Sequence, residues 1–324
     1  MTRDESRTLT GLVLAALASF FAASAVLGGW PISSHSPQAA LNEHQTITMT
    51  ATDAAYLSPS SLKQVRNTNI TVTQTLTGVA GSGNSSIAVW NVFTTTYDTK
   101  RHQELEPASR VAVFDRSNAA LVNCCDADIN GNGLTRESGI VGYVFPVGTR
   151  KQTYFVFDTV LNKPEPFTYS GTGMVDGIPA YRFTEFIYAA HAGYTLLSFR
   201  DPELYSISSV YWVDPVTGTV LDASEDEDLY LVRSITSSPV TDLFEANLSM
   251  TPGTVARLAS QDARARSGLK VARWTRVAFL AVAVDLAALA WWTLARGTRR
   301  RRRPRRRQGR DMAADGAAIS TITS

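Results

Sequence analysis

The stretch CDADINGNGLTRE, residues 125–137, carries oxygen-bearing side chains at the spacing of a calcium loop. A hard cation binds oxygen ligands, so acids at alternate positions could converge on it while a distant glutamate closes the shell. The residues that would supply side-chain or backbone oxygens are Asp126, Asp128, Asn130, Asn132 and Glu137. The spacing therefore predicts a calcium site. An exposed turn between strands is the competing interpretation, because Asp, Asn and Gly also form turns without an ion.

The two cysteines, Cys124 and Cys125, are adjacent. Neighbouring cysteines cannot link distant segments, and they lack the spacing of a zinc or redox motif. The sequence leaves two alternatives for them, a pair of thiols or a strained local bridge.

The main body and the C-terminal tail have opposite charge. The segment from Pro31 to Met250 contains 13 Lys/Arg and 23 Asp/Glu, a balance of −10, whereas residues 296–310 contain ten Arg and no acid. Hydrophobic residues make up 44% of the 324 residues, which excludes global disorder. The asymmetry predicts that the body and the tail face different surroundings.

Two apolar segments predict membrane spans. Leu9–Gly29 has 21 uncharged residues, which as a helix would cover about 30 Å, the thickness of a bilayer core. A cleaved signal peptide is the alternative, since Ala23-Ser24-Ala25 is a possible cleavage motif, but it lies inside the apolar run. Val277–Ala295 is apolar except for Asp285.

The arginine run after the second span predicts the topology, because Lys/Arg bias keeps such a run in the cytoplasm. Next to a span the run fits anionic lipid head groups better than nucleic acid, so no nucleic-acid partner is expected. The predicted organisation is a cytoplasmic N-terminus (1–8), a span (9–29), an extracytoplasmic β-rich domain (31–250), a juxtamembrane helix (251–276) with an interruption near Gly268, a second span (277–295) and a cytoplasmic tail (296–324).

Asp285 lies in the middle of the second predicted span. A carboxylate there costs free energy on insertion, so it indicates a function. It could pair with a basic residue of another transmembrane protein or carry a proton. The alternative is a protonated side chain that is hydrogen-bonded to Ser19 or Ser24 of the first span.

Segments rich in Thr, Val, Ile and aromatic residues, several with period-two alternation, predict a mainly β outer domain. They are Thr46–Thr52, Ile70–Gly78, Ile87–Tyr97, Arg110–Asp115, Gln152–Asp158, Phe167–Val175, Ala180–Ala190 and Ser209–Ala223. In the last, Pro215 and Gly218 predict a hairpin turn. Short strands joined by turns favour a curled antiparallel sheet or a partly open, barrel-like domain.

The stretch DASEDEDLYL, residues 222–231, is acidic within this β region. Charges on a strand edge discourage sheet-to-sheet aggregation, so a solvated loop or edge is favoured over a metal site. No nucleophilic elbow, P-loop or zinc-binding histidine pair is present in the sequence. The chain is therefore expected to be non-enzymatic, with no catalytic residues.

Ser138–Glu185 and Tyr211–Asp226 resemble an actinobacterial family of two-span membrane proteins of unknown function that is labelled porin PorA family. The matching motifs are FP-x-G-x-x-K-x-x-Y from Phe145, VDG-x-x-x-YRF from Val175 and W-V-x-P-x-T-G from Trp212. The resemblance implies a plasma-membrane protein of the actinobacterial cell envelope, whose relatives handle or sense lipids such as mycolate glycolipids.

The expected function is lipid binding or sensing in an apolar concavity of the outer domain, during envelope biogenesis or lipid trafficking. Alternation gives the inward candidates Val89, Val92, Phe155, Phe157, Tyr181 and Phe183. One alternative is a scaffold or regulatory subunit of a membrane transporter or synthase, bound through Asp285. Another is a porin, although a transmembrane barrel needs strands of about 9–11 residues and the predicted strands are short.

Overall fold

The computed structural model describes residues 3–27, 38–105, 107–133, 136–192, 202–232 and 239–301. Internal contacts divide the chain into two compact units, Ser33–Ala272 and Met1–Ile32 with Arg273–Ser324. The described residues of the first unit form twelve strands, which confirms the prediction of a mainly β domain. The strands are β1 His44–Leu57, β2 Gln64–Gly78, β3 Ile87–Asp98, β4 Gln103–Glu104, β5 Ala108–Asp115, β6 Asp128–Ile129, β7 Tyr154–Asp158, β8 Lys163–Val175, β9 Ile178–His191, β10 Glu203–Val213, β11 Val220–Val232 and β12 Pro239–Met250.

The strands form one open antiparallel sheet in the order β6-β5-β3-β2-β1-β12-β11-β10-β9-β8-β7, with β4 beside β3. Three isolated bridges connect β5, near one end of this order, with β7 at the other end. They join Phe114 to Leu121, Ala120 to Ile140, and Ile140 to Val156. The sheet therefore curves back on itself without closing, because the contacts between its ends are single bridges rather than a ladder.

Most strands are longer than the sequence pattern predicted. β1 and β9 each have 14 residues and β2 has 15. The period-two pattern is obscured where the register shifts, as between Ala51 and Ala54 of β1. The prediction of short strands was wrong, and strand length no longer argues against a porin.

Aromatic side chains fill the interior next to the sheet. Trp90 packs edge-on against Phe114 with ring centroids 4.9 Å apart, and Phe145 stacks on Phe183 at 5.1 Å. All four are buried. Such pairs add about 0.5–1.5 kcal/mol each beyond the burial of their area, so they help to fix the curvature of the sheet.

Gly218 ends the predicted turn between β10 and β11 and has a φ of +81°. A Cβ added here would collide with the backbone of Phe145, whereas one added at Gly177, with a φ of +79°, meets open space. We expect Gly218→Ala to lower the free energy of unfolding by about 2–5 kcal/mol through backbone strain plus overlap. Gly177→Ala should cost about 1–2 kcal/mol. Equal losses in denaturant titrations would contradict this account.

The helix α2 covers Pro252–Arg301. It continues through Gly268, so the interruption predicted there is absent from this described segment. Within the first unit, Arg266 Nη1 lies 2.9 Å from Asp214 Oδ1, and the Thr217 hydroxyl donates to Asp262. Burial and the neighbouring Asp214 raise the pKa of Asp262 to about 7. These contacts attach the beginning of α2 to the β10–β11 turn.

The second unit contains the helix α1, Arg3–Leu27, and the end of α2. Phe21 contacts Phe279 with ring centroids 5.9 Å apart. Among the described residues one helix segment, Val277–Ala295, is long and apolar enough to cross a membrane, whereas the apolar part of α1 covers Leu12–Ser24. The end of the first predicted span (28–29) and most of the predicted tail (302–324) lie outside the described residues.

Candidate functional site

The inner face of the curved sheet borders a cavity of about 540 Å³ that is partly open to solvent. This volume is within the range of about 300–1,000 Å³ that is typical of small-molecule sites. Side chains from β1–β3 and β5–β12 line it, so residues far apart in the chain contribute to one space.

One wall of the cavity is apolar. Met49 of β1 lies opposite Met250 of β12 and Val72 of β2 in the strand register. Ile47, on the same face of β1, and Leu248 of β12 extend this surface. Because alternate residues of a strand point to the same side, three neighbouring strands build a continuous apolar wall.

The other wall carries carboxyl groups. Glu185, Ser209 and Glu225 are paired in one row across β9, β10 and β11, and Glu227 lies two residues further along β11. The Ser209 hydroxyl donates to Glu185 at 2.9 Å, and the Tyr211 hydroxyl donates to Glu225 at 2.6 Å. Leu248 pairs with Glu225, so the apolar and acidic walls meet along β11 and β12.

The electrostatics of the acidic wall favour protonated carboxyl groups. Burial, together with the charges of Asp158 and Glu225, raises the pKa of Glu185 to about 8. Burial and the same two neighbours raise the pKa of Glu227 to about 8. Burial also raises the pKa of Asp158 and of Glu225. Glu185 and Glu227 are therefore mostly neutral at pH 7, and a neutral carboxyl group both donates and accepts hydrogen bonds.

Arg110 contributes a positive charge to the cavity lining from β5. Its Nε donates to Glu137 Oε1 at 2.9 Å, and its guanidinium lies 5.5 Å and 5.4 Å from the ring centroids of Tyr143 and Phe157. The side chain is 5% exposed. Its Nη2 has no hydrogen-bond acceptor among the described residues. Oε2 of Glu137, in the same ion pair, also has no partner there, so a small shift of this pair would satisfy both groups without a ligand.

Two of the six predicted lipid-contacting residues, Val92 and Phe157, line the cavity. The other four do not appear in its lining: Val89, Phe155, Tyr181 and Phe183. Val89 and Phe183 are buried, Tyr181 packs against Tyr169, and Phe155 is 56% exposed although it was predicted to face inward. Alternation separates Val89 from Val92, since residues three apart on a strand point to opposite faces.

The predicted calcium ligands do not converge. Asn130 Oδ1 accepts a hydrogen bond from the Ser109 amide, Asp128 Oδ1 accepts one from the Gly131 amide, and Glu137 is paired with Arg110. Asp126 and Asn132 lie in the same turn region, and within the described part of the chain no three acidic, His or Cys side chains form a metal-binding group. Three of the five predicted ligands therefore stabilise the loop or neutralise a buried arginine, and the calcium site stays a prediction.

Two further predicted features are placed by the structure. Cys124 and Cys125 form a disulfide, which decides between the two alternatives for the adjacent cysteines. Asp285 is exposed on α2, and Ser19 donates its hydroxyl to the Ala15 carbonyl rather than to Asp285. The structure thus gives Asp285 a surface position, and its role in binding a partner stays a prediction.

Sequence reasoning missed the acidic wall and Arg110. The acidic stretch was interpreted as an edge, but β11 lies between β10 and β12 inside the sheet. The phase of the alternation carries the signal: Ala223, Glu225, Glu227 and Leu229 all line the cavity. The sequence signal that could have identified this wall is therefore an acidic residue at the alternate positions of a strand that also hold inward-facing apolar residues.

These features define a mainly β protein: an open antiparallel sheet around an amphipathic cavity, in a chain whose described residues also include a long apolar helix. The chain belongs to the porin PorA family, because the model of that family, described as "Porin PorA", matches residues 10–292. No curated protein matches the chain. Family and helix together indicate a membrane protein.

Proposed function

We propose that the β domain binds an amphiphilic lipid of the cell envelope and that the protein is a non-enzymatic carrier or sensor. The observation that supports this is the cavity of about 540 Å³ with one apolar and one carboxyl-lined wall. An acyl chain fits the surface formed by Met49, Val72 and Leu248, because burying apolar area is favourable by about 25 cal/mol per Å². A polar head group fits the row that contains Glu225.

The proposal includes the topology that the sequence predicts. Both termini lie in the cytoplasm, and the β domain lies outside the plasma membrane, where it has access to lipids that are exported for envelope assembly. In an actinobacterial envelope, mycolate-type glycolipids are the lipids that the family resemblance implies. The helix Val277–Ala295 supports the second of the two proposed crossings, since its length and apolar composition suit a bilayer.

The binding proposal is tested by filling the cavity from β3. Thr94 of β3 lines the cavity. Its neighbour Thr95 does not line the cavity, because adjacent residues of a strand point to opposite faces of the sheet. We expect Thr94→Trp to reduce lipid that co-purifies with the full chain from its own membrane by roughly tenfold, because the indole occupies space that an acyl chain needs. Native mass spectrometry of the full chain measures the bound lipid.

Thr95→Trp is the matched control, since it adds the same side chain one residue away. It should retain the lipid of the wild-type chain. Equal lipid content in Thr94→Trp and wild type, with both proteins folded, would contradict binding in the cavity.

The family name supports a second candidate, a channel-forming protein. Planar-bilayer recordings distinguish the two functions. A pore is favoured if the purified chain gives channel steps and Thr94→Trp changes their size. The lipid-binding function is favoured if the chain shows no conductance but carries bound lipid.

The exposed position of Asp285 supports a third candidate, a scaffold or regulatory subunit of a membrane transporter or synthase. A carboxylate on the outside of an apolar helix is costly in lipid, and a basic group of another transmembrane protein would offset that cost. Loss of a co-purifying membrane protein in Asp285→Ala, with lipid binding unchanged, would favour this role.

A further inference from the structure

We propose that Asp262 of α2 and Asp214 of the β10–β11 turn hold one proton between them and that, with Arg266, they form a pH-sensitive latch between the helix and the sheet. Loss of this proton frees the first turns of α2 from the β10–β11 turn. The latch residues are absent from the cavity lining, so the latch acts whatever the cavity binds.

The first turns of α2 are joined to the sheet by apolar and by polar contacts. Leu258 inserts into the main hydrophobic core, and Ala259 into a smaller cluster beside it. Asp262 and Arg266 follow one and two turns further along the helix, and both reach the β10–β11 turn. Arg266 Nη1 lies 2.9 Å from Asp214 Oδ1. The attachment of α2 at this turn therefore depends on the charge of a few buried side chains.

The hydrogen bonds between these side chains require a proton on one carboxyl group. The Thr217 hydroxyl is 3.1 Å from Asp214 Oδ2 and also lies next to Asp262 Oδ1, but it has a single hydrogen to donate. Asp262 is 2% exposed, and its Oδ2 has no donor among the described residues. The side chains of Asp262 and Asp214 are within hydrogen-bond reach of each other. Two carboxyl groups can form such a bond only when one of them supplies the hydrogen.

Asp262 is the protonated partner and Asp214 the ionised one. Asp214 Oδ1 accepts from Arg266 and, at 2.8 Å, from the Val216 amide, which offsets one negative charge. A second buried negative charge would have no such partner. Burial and the neighbouring Asp214 accordingly raise the pKa of Asp262 to about 7, as expected when two carboxyl groups share one site.

Within the described part of the chain, Arg266 is the one basic side chain that pairs with either carboxyl group. The segment 144–149 packs on the turn through the bridge from Val144 to Thr219 and carries no titratable side chain. The charged groups of the other surrounding elements are Glu43, His44, Arg150, Asp176, Asp222, Arg257 and Arg264. Arg150 and Arg264 are exposed, and Arg257 donates to a carbonyl of β1. Glu43 interacts with His44, and Asp176 with Asp222.

The latch should weaken as the pH rises. Once α2 separates from the turn, Asp262 is solvated and titrates near about 4. Between about pH 4 and the folded pKa of about 7, each opening therefore releases one proton, and the opening equilibrium should increase roughly tenfold per pH unit before it levels off. Hydrogen exchange of the backbone amides of residues 255–266 in the full chain, corrected for their intrinsic rates, measures this opening. Opening that does not change between pH 5 and pH 7 would overturn the proposal.

Asp262→Asn tests whether the proton is the switch. The amide keeps a donor for Asp214 and an acceptor for Thr217 but does not titrate, so α2 should stay attached and the dependence on pH should disappear. Asp228→Asn is the matched control, because burial and other acidic neighbours, Glu245 first among them, raise the pKa of Asp228 to about 6. This control should keep the wild-type slope. A slope that persists in Asp262→Asn would assign the proton to another group and refute the latch.

Arg266→Gln separates a shared proton from a simple ion pair. Without the arginine charge the two carboxyl groups should hold their proton more tightly, and the pH at which opening levels off should rise by roughly one unit. If the Arg266–Asp214 ion pair alone attached the helix, exchange in Arg266→Gln would be fast at every pH with no slope. That result would contradict the shared proton.

Discussion

Replacing Arg110 with methionine is expected to lower the free energy of unfolding by about 3–5 kcal/mol, the cost of leaving a buried charge without its partner. Arg110 and Glu137 form an ion pair at 2.9 Å, and their side chains are 5% and 2% exposed. Methionine fills much of the arginine volume but leaves the Glu137 carboxylate without its charged partner. Denaturant titration of the full chain measures the loss.

The ion pair of Arg66 and Asp242 provides the control. Its atoms are 2.6 Å apart, but the Arg66 side chain is 61% exposed, so solvent screens the pair. Arg66→Met should change the free energy of unfolding by about 1 kcal/mol or less. The double variant Arg110→Met with Glu137→Gln should recover most of the loss, because it removes the unpaired charge. A single Arg110→Met variant as stable as wild type would refute the buried pair.

The folded chain is expected to be most stable at mildly acidic pH and to lose stability as the pH rises towards 8. The pKa values of Glu185 and Glu227 are raised to about 8, that of Asp262 to about 7 and that of Asp228 to about 6. Unfolded carboxyl groups titrate near about 4. Between these limits the folded chain binds more protons than the unfolded chain, so the free energy of unfolding falls as the pH increases.

Carboxyl groups whose pKa is lowered in the folded chain set the acidic end of the pH range in which the chain is most stable. Hydrogen bonds from Thr68 and other neighbours outweigh burial and lower the pKa of Asp98, so its stabilising contribution is lost as the pH falls below about 4. We expect the Tm of the full chain to be roughly 5–10 °C higher at pH 5 than at pH 9. Glu185→Gln should reduce this difference, and a Tm that rises from pH 5 to pH 9 would contradict the buried carboxyl groups.

The strands were predictable where alternation and turn residues agree. The hairpin that joins β10 to β11 follows from Pro215 and Gly218, whose conformations fit a tight turn. β12 was missed, although it lies between β1 and β11 in the sheet. The position of β12 depends on its pairing with β1, at the other end of the domain. Local sequence patterns do not indicate contacts between residues that are so far apart in the chain.

The site was less predictable than the sheet because its residues depend on which alternate set of side chains in each strand faces the cavity. Val92 was assigned to the cavity correctly, but its neighbour in that prediction, Val89, is on the other phase. Arg110 was hidden for a different reason. Its partner Glu137 was interpreted as a calcium ligand, and only the fold shows that the glutamate neutralises a buried arginine.

The most direct test of lipid binding is an experimental structure of the full chain purified from its own membrane without delipidation. Elongated density inside the curved sheet is predicted, with its apolar part against Met49, Val72 and Leu248 and its polar end at Arg110 and Glu225. A cavity that holds water alone, or one that side chains have filled, would contradict the central claim.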